Sequence, residues 1–171
     1  MKENQLYTPI KIGSIELKNR IVMAPMTRCR ALKNIPNELM CEYYQQRSTA
    51  GLIITEGTAP SPNGLGYARI PGIFSEKQVE AWKKITETVH KNNGKIIVQL
   101  MHSGRISHPL NMPVGSKILA PSAVKASGQM WTDLKHFQDF ETPTEMTLQD
   151  IIHAKTEVIC AAENALFAHF D

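Results

Sequence analysis

The sequence lacks the patterns that mark several large classes of protein. No apolar run approaches the roughly 20 residues needed to cross a bilayer. The chain has only three cysteines, Cys29, Cys41 and Cys160, and an odd, widely spaced set argues against both a disulfide framework and a CxxC metal site. Its 19 basic and 16 acidic residues form no long basic run, so nucleic acid is not an implied partner. We therefore expect neither a membrane protein nor a nucleic-acid-binding protein.

Signatures of common enzyme classes are also missing. There is no GxGxxG after a predicted strand, no Walker sequence and no GxSxG. His102 and His108 have no acidic residue close by in the sequence, so we expect them to be solvated or locally bonded, and we expect no metal site. The spacing of Glu42 and Glu56 in the sequence does not indicate a catalytic acid–base pair. The segment MKENQLYTPIKIG has no apolar core of an export signal, which favours a cytoplasmic location.

Three short runs rich in β-branched residues are the main feature of the sequence. The chain has 171 residues, 42% of them hydrophobic and 20% charged, which fits a single globular domain over 1–171. The runs are RIVMAP at 20–25, GLIITEG at 51–57 and KIIVQL at 95–100. Each is apolar on both faces, as strands of a parallel sheet covered on both sides tend to be.

Helical patterns with capping residues separate these runs. Asn37 caps a helix predicted to extend to Gly51, and Ser75 with Gln78 forms a capping box ahead of an apolar stripe. A third helix is predicted to start at Thr147, with Asp150 as its capping partner. Its apolar residues are Ile151, Ile152, Val158, Ile159, Ala162 and Leu166. The alternation of strands and helices predicts an α/β fold with a parallel sheet.

Two segments depart from this alternation. The opening PIKIGSIELKN alternates and turns at Gly13 and Ser14, which predicts an N-terminal β-hairpin. The loop from Met101 to Met146 after the third strand is long for a compact domain. We expect it to cross the active face and to hold small elements of its own.

Polar or small residues stand where each predicted strand ends. In parallel α/β folds, ligands bind beyond the carboxyl ends of the strands. Thr27 and Gln99 each donate and accept hydrogen bonds, so together they suit a planar heterocycle, and Gly57 lets a ring lie against the backbone. The alternative is that Thr27 and Gln99 only cap strand ends. Tyr67, in a glycine-rich loop, is either a loop anchor or a pocket residue.

Six motifs in order give a family resemblance. They are RIVMAPMTR, LIITEGT, GYARIPGIFS, IIVQLMHSGR, APSAV and TPTEMT. In this order and spacing they resemble the old yellow enzyme family of flavin-dependent ene reductases, and the bacterial N-ethylmaleimide reductase branch looks closest. The resemblance implies a (β/α)8 barrel that binds FMN, takes electrons from NADPH or NADH, and reduces small activated alkenes.

The resemblance also implies roles for individual residues. Thr27 would bond to the flavin and tune its potential. The other flavin-binding residues would be Ala24, Pro25 and Met26 through their backbone, Gly57, and Gln99 at the pyrimidine end. Tyr67 and Met101 would line the substrate pocket, where close relatives often have a tryptophan in place of Met101.

The family pattern extends beyond this sequence. In family members the chain continues with strand four, which carries a His/Asn or His/His pair that binds the substrate. A tyrosine proton donor, an arginine over the flavin and the phosphate-binding loops follow. We therefore expect the N-terminal half of the barrel, an ene reductase incomplete as this chain. One alternative is a non-catalytic half-barrel that self-associates as a homo-oligomer or needs a complementary C-terminal half. Another is a remnant that does not fold.

Overall fold

A β-hairpin opens the described part of the chain. The computed structural model describes residues 5–171, and residues 1–4, which begin the segment considered above for an export signal, lie outside them. Strands β1 (Ile10–Ile12) and β2 (Ile15–Leu17) pair antiparallel. Gly13, in the turn between them, has a φ of +60°, a backbone conformation that glycine adopts without strain. The predicted hairpin is confirmed.

A parallel sheet of three strands follows. Strands β3 (Val22–Met23), β4 (Leu52–Thr58) and β5 (Ile96–Leu100) lie in the order β3-β4-β5 and pair in parallel. The parallel sheet is confirmed, but the first strand was predicted over 20–25 and is shorter. The chain leaves the ladder after Met23, and Pro25 has no N–H to donate to a neighbouring strand.

Three α-helices accompany the sheet. They are α1 (Glu38–Gln45) between β3 and β4, α2 (Glu76–Lys91) between β4 and β5, and α3 (Leu148–Phe167) near the end of the sequence. Capping boxes begin α2 at Ser75 and α3 at Thr147, and Asn37 Oδ1 accepts the Met40 N–H at the start of α1. All three predicted helix starts are confirmed. Within residues 5–171, no helix is long and apolar enough to cross a membrane.

The predicted end of the first helix is wrong. The prediction extended it to Gly51, whereas α1 ends at Gln45. The N–H groups of Arg47 and Ser48 bond to carbonyls three residues back, and the Ser48 hydroxyl donates to the Gln45 carbonyl at 2.7 Å. The serine side chain and the tighter turn satisfy the carbonyls that a longer helix would have used.

The core lies between the sheet and the helices. Its largest buried side chains include Tyr44 of α1 and Trp82 of α2. The Trp82 indole N–H donates to the Gly72 carbonyl at 3.1 Å, and its ring lies 5.5 Å from that of Phe170. The remaining large buried residues from these elements are Met40, Ile53, Ile85, Val89 and Ile96.

Helix α3 contacts this core through small residues. Ala161 and Ala165 are buried, whereas all six apolar residues that marked the helix in the sequence are exposed. Those exposed residues are Ile151, Ile152, Val158, Ile159, Ala162 and Leu166. The apolar periodicity identified the helix but not the face that packs on the core. The alanine face packs there because small side chains let the helix approach the sheet closely. The outer face of α3 is therefore an apolar surface.

The excursion over 101–146 contains two small strand pairs. Strand β6 (Leu119–Ala120) pairs in parallel with β9 (Thr144–Glu145), and β7 (Gln129–Thr132) forms a hairpin with β8 (His136–Asp139). Short 3-10 turns occupy Gln5–Tyr7, Leu32–Asn34, Pro62–Gly64 and Pro109–Asn111. The segment thus holds small elements of its own, and it also bonds to the loop after β4, where the Ser103 N–H donates to the Gly64 carbonyl at 3.0 Å.

After α3 the chain returns to the side of β5. The Asp171 N–H donates to the Ile96 carbonyl at 3.0 Å. The Asp171 carboxylate accepts the Ile96 N–H at 2.9 Å and pairs with Lys95 and with His90 Nε2, which is 2.8 Å away. Burial alone would raise the pKa of Asp171, but the hydrogen bonds from Lys95, Ile96 and His90 lower it overall. The carboxylate is therefore held in its charged form.

We expect Asp171→Asn to lower the free energy of unfolding by about 1–2 kcal/mol near neutral pH, because charge-assisted hydrogen bonds are lost. The folded pKa lies below the unfolded one, so this contribution is present above the unfolded value of about 3.9 and disappears as pH falls through the lower folded value. Urea denaturation from neutral to acidic pH measures it. Asp139→Asn, on the exposed β8, is the control, and an equal effect of both substitutions at every pH would contradict the account.

Candidate functional site

The ends of the three parallel strands bring Thr27, Gly57 and Gln99 together. Gly57 and Gln99 are register partners across β4 and β5. The backbone N–H of Arg28 donates to Glu56 Oε2 at 3.4 Å, which places Thr27 beside the end of β4. Three residues chosen from the ends of separate sequence runs thus lie along one edge of the sheet.

Two of these residues offer free polar groups. The Thr27 side chain is exposed, and its hydroxyl has no hydrogen-bond partner within residues 5–171. The half-buried amide of Gln99 also has none in that part of the chain. Neither side chain caps a strand end. Thr55, inside β4, bridges the irregularity in the β4–β5 ladder, since its hydroxyl donates to the Glu56 carbonyl and accepts the Gln99 N–H at 3.1 Å.

The segment from Ala24 to Met26 forms an exposed strip between β3 and Thr27. All of its residues are exposed, and the Met26 side chain is 62% exposed. The strip lies beyond the paired residues of β3 and leads directly to Thr27. A backbone contact between this strip and a bound ring stays a prediction.

Met101 lies directly against Gly57. A Cβ on Gly57 would stand 2.6 Å from both Sδ and Cε of Met101, closer than carbon and sulfur atoms can approach. From the sequence we expected a bound ring to occupy the space left by the missing side chain of Gly57. In the structure the Met101 thioether occupies that space. Tyr67 and Met101 pack against one cluster formed by Ala59, Leu65 and Ile70.

An ion pair beneath the strand ends was missed by the sequence analysis. Arg28 Nη2 lies 2.8 Å from Glu56 Oε1, with the Glu56 side chain fully buried and that of Arg28 14% exposed. The backbone N–H of Glu56 donates to the Tyr44 hydroxyl at 3.0 Å. The sequence does show a charged residue next to Thr27 and another next to Gly57. Their spacing alone does not show that the two side chains form an ion pair.

Aromatic stacking reinforces this ion pair. The guanidinium carbon of Arg28 lies 3.3 Å from the Tyr43 ring centroid and that of Arg47 3.7 Å, so the two cations lie on opposite faces of the ring. Burial, followed by the Glu56 charge, raises the pKa of Tyr44 well above its ordinary value, so its phenol stays neutral. Arg28 Nε is buried with no partner among residues 5–171.

The two histidines considered as metal ligands bond to nearby backbone. His102 Nδ1 accepts the Gly104 N–H at 3.1 Å, and His108 Nδ1 accepts the Leu110 N–H at 3.2 Å. Burial lowers the pKa of His102, which keeps its ring neutral. Within residues 5–171, no group of three or more His, Cys, Asp or Glu side chains is placed to hold a metal ion.

Replacing the buried carboxylate tests the ion pair. We expect Glu56→Gln to lower the free energy of unfolding by about 3 kcal/mol, because the Arg28 guanidinium is left largely buried without its counter-charge. Urea denaturation measures the change. The control is Glu42→Gln, which alters an exposed carboxylate that bonds, among residues 5–171, only to Gln46 and should cost less than about 0.5 kcal/mol. Equal losses in the two variants would show that the pair does not stabilise the fold.

Comparison with known proteins agrees with this architecture. The sequence profile described as the NADH:flavin oxidoreductase / NADH oxidase family matches residues 5–171. The 12-oxophytodienoate reductase 7 of Oryza sativa subsp. japonica is 37% identical over 174 residues, which cover 99% of this chain and 44% of that protein. A probable flavin mononucleotide-dependent alkene reductase of Leishmania infantum is 37% identical, with 97% of this chain and 47% of that protein covered.

Solved structures share the fold. Morphinone reductase superimposes with a TM-score of 0.91 at 40% identity, covering 97% of this chain and 46% of that one. The old yellow enzyme homologue from Zymomonas mobilis gives 0.93 at 42% identity, covering 98% and 47%. This chain therefore spans less than half the length of these relatives. With a family profile matched from residue 5 to residue 171, the chain belongs to the NADH:flavin oxidoreductase / NADH oxidase family.

Proposed function

We propose that this chain forms the part of an FMN-dependent ene reductase that binds the flavin ring. The observation that carries the proposal is a pair of polar groups without partners among residues 5–171, the Thr27 hydroxyl after β3 and the Gln99 amide on β5, on either side of β4. Polar groups without partners at the carboxyl edge of a parallel sheet are where ligands of α/β folds bind. The family of this chain uses flavin, so FMN is the ligand proposed for this edge.

The residues present fit the ring of FMN. Its polar edge alternates C=O and N–H groups, and both Thr27 and Gln99 can donate and accept hydrogen bonds. Ala24, Pro25 and Met26 are exposed beside Thr27, and their backbone would support the ring. When bound, FMN supplies the transfer of two electrons from NADPH or NADH to an activated alkene. A hydroxyl donor at Thr27 would stabilise negative charge on the ring and so tune its potential.

Tyr67 and Met101 are proposed to line the substrate pocket. Both are half-buried and pack on the cluster of Ala59, Leu65 and Ile70. The Tyr67 hydroxyl has no partner within residues 5–171, which leaves it available to a polar substrate group. Small activated alkenes match an apolar wall with few polar groups.

We further propose that these residues form the N-terminal half of a (β/α)8 barrel and that a complementary half completes the site. The outer edge of β3 is unpaired within residues 5–171, Val22 on it is 45% exposed, and α3 presents an apolar face to solvent. The relatives are about twice as long, and a further segment of that length would cover such surfaces. An open strand edge and an apolar face favour association, so a self-associating, non-catalytic half-barrel is the alternative.

The cytoplasmic location stays a prediction.

The flavin proposal predicts a specific effect of Thr27. In an FMN titration followed by fluorescence quenching, we expect Thr27→Ala to raise the dissociation constant about 3- to 10-fold, which corresponds to one lost hydrogen bond. Thr49→Ala removes an exposed hydroxyl at the opposite end of β4 and should leave the constant unchanged. Equal constants for the two variants would exclude Thr27 from the flavin site. Absence of binding by the folded chain would contradict the proposal that this half forms a flavin site of its own.

The half-barrel proposal predicts association of the isolated chain. Size-exclusion chromatography with light scattering should find species larger than a monomer, because the α3 face and the β3 edge are uncovered. We expect Ile159→Lys, at a position 49% exposed on α3, to shift the chain towards monomer. Glu87→Gln on α2 changes the net charge by the same amount away from that face and serves as the control. A monomeric wild-type chain would contradict this account of the two surfaces.

A further inference from the structure

Met101 and Gly57 share one face of the sheet. The Met101 N–H donates to the Thr58 carbonyl at 2.9 Å, so Met101 continues the ladder one residue beyond β5. Gly57 pairs with Gln99, and Met101 lies two residues further along the same strand. Alternate residues of a strand point to the same face, and a long side chain can reach its diagonal neighbour across two strands.

The Met101 side chain is folded back onto β4. The hollow left by the missing side chain of Gly57 is filled by Sδ and Cε of Met101, which lie 2.6 Å from where a Cβ would stand. Met101 also packs on the Ala59, Leu65 and Ile70 cluster. The thioether is therefore held against the sheet, and it does not project from the strand end beside Gln99.

We propose that Gly57 is a specificity-determining residue that acts through Met101. This inference rests on the proposed function, because it assigns the wall of that substrate pocket. With glycine at 57 the thioether lies flat and leaves room for bulky cyclic enones next to the Gln99 edge. A methyl group at 57 would need about 3.5–4.0 Å to its neighbours, so Met101 would have to move outward by about 1 Å or more and narrow the pocket.

The contact itself can be tested without flavin or substrate. Methionine oxidation by dilute hydrogen peroxide follows side-chain exposure and is read at each methionine by peptide mass spectrometry. Met26, 62% exposed, and Met40, fully buried, are internal references for fast and slow oxidation. We expect Gly57→Ala to increase the oxidation rate of Met101 at least about threefold while both references stay unchanged. An unchanged Met101 rate in the folded variant would overturn the proposal.

The effect on specificity requires a second arm. Binding of 2-cyclohexenone and of 3-phenyl-2-cyclohexenone to the FMN-loaded chain is measured by saturation-transfer NMR without reductant, so turnover is not needed. We expect Gly57→Ala to lower the affinity for the bulky enone relative to the small one by about 5- to 10-fold. In a Met101→Ala background the same substitution should change that ratio less than about twofold, because the thioether is gone.

The double-variant cycle distinguishes the possible outcomes. An equal shift of the affinity ratio with and without Met101 would overturn the coupling, because Gly57 would then act directly. If Gly57→Ala does not fold, Met101→Ala with Gly57→Ala should fold as well as Met101→Ala alone, and its failure to do so would also overturn the proposal. A wild-type chain that binds neither enone, with Met101 oxidising as expected, would contradict the proposed function and support the contact.

Discussion

The fully buried carboxylate of Glu56 constrains the strand ends of this chain. A buried charge is tolerated only with a counter-charge and hydrogen bonds, and Arg28 provides both through its guanidinium and its backbone N–H. The segment after β3 therefore has to stay beside β4. Tyr44 extends the constraint to α1 by accepting the Glu56 N–H, and Tyr43 stacks on Arg28. This network thereby links the sheet to α1.

The candidate site depends on this arrangement. Because Arg28 is fixed on Glu56, the preceding Thr27 lies next to Gly57, and strand pairing places Gln99 opposite Gly57. Polar groups beneath the strand ends are mostly paired with one another, whereas the Thr27 hydroxyl and the Gln99 amide have no partner in the described part of the chain. A preorganised binding site requires supporting side chains that are held by their own contacts and polar groups that remain available to the ligand.

How far the sequence could predict the structure depended on the range of each interaction. Capping at Ser75 and Thr147 is local, and both helix starts were predicted. The ion pair of Arg28 and Glu56 joins residues 28 positions apart, and no local pattern records which charged residues meet. The contact between Met101 and Gly57 arises from strand register, which the sequence does not display. The apolar period of α3 likewise marked a helix without showing that its alanines face the core.

A flavin ring is proposed to bind along the edge formed by Thr27, Gly57 and Gln99. The most direct test is to add FMN to the 15N-labelled chain and to follow every backbone amide by NMR. The account predicts that the largest shifts occur at these three amides and along the 24–26 strip. Shifts confined to another surface, such as the groove lined by Cys29 and Leu39, or no shifts in a folded protein, would contradict it.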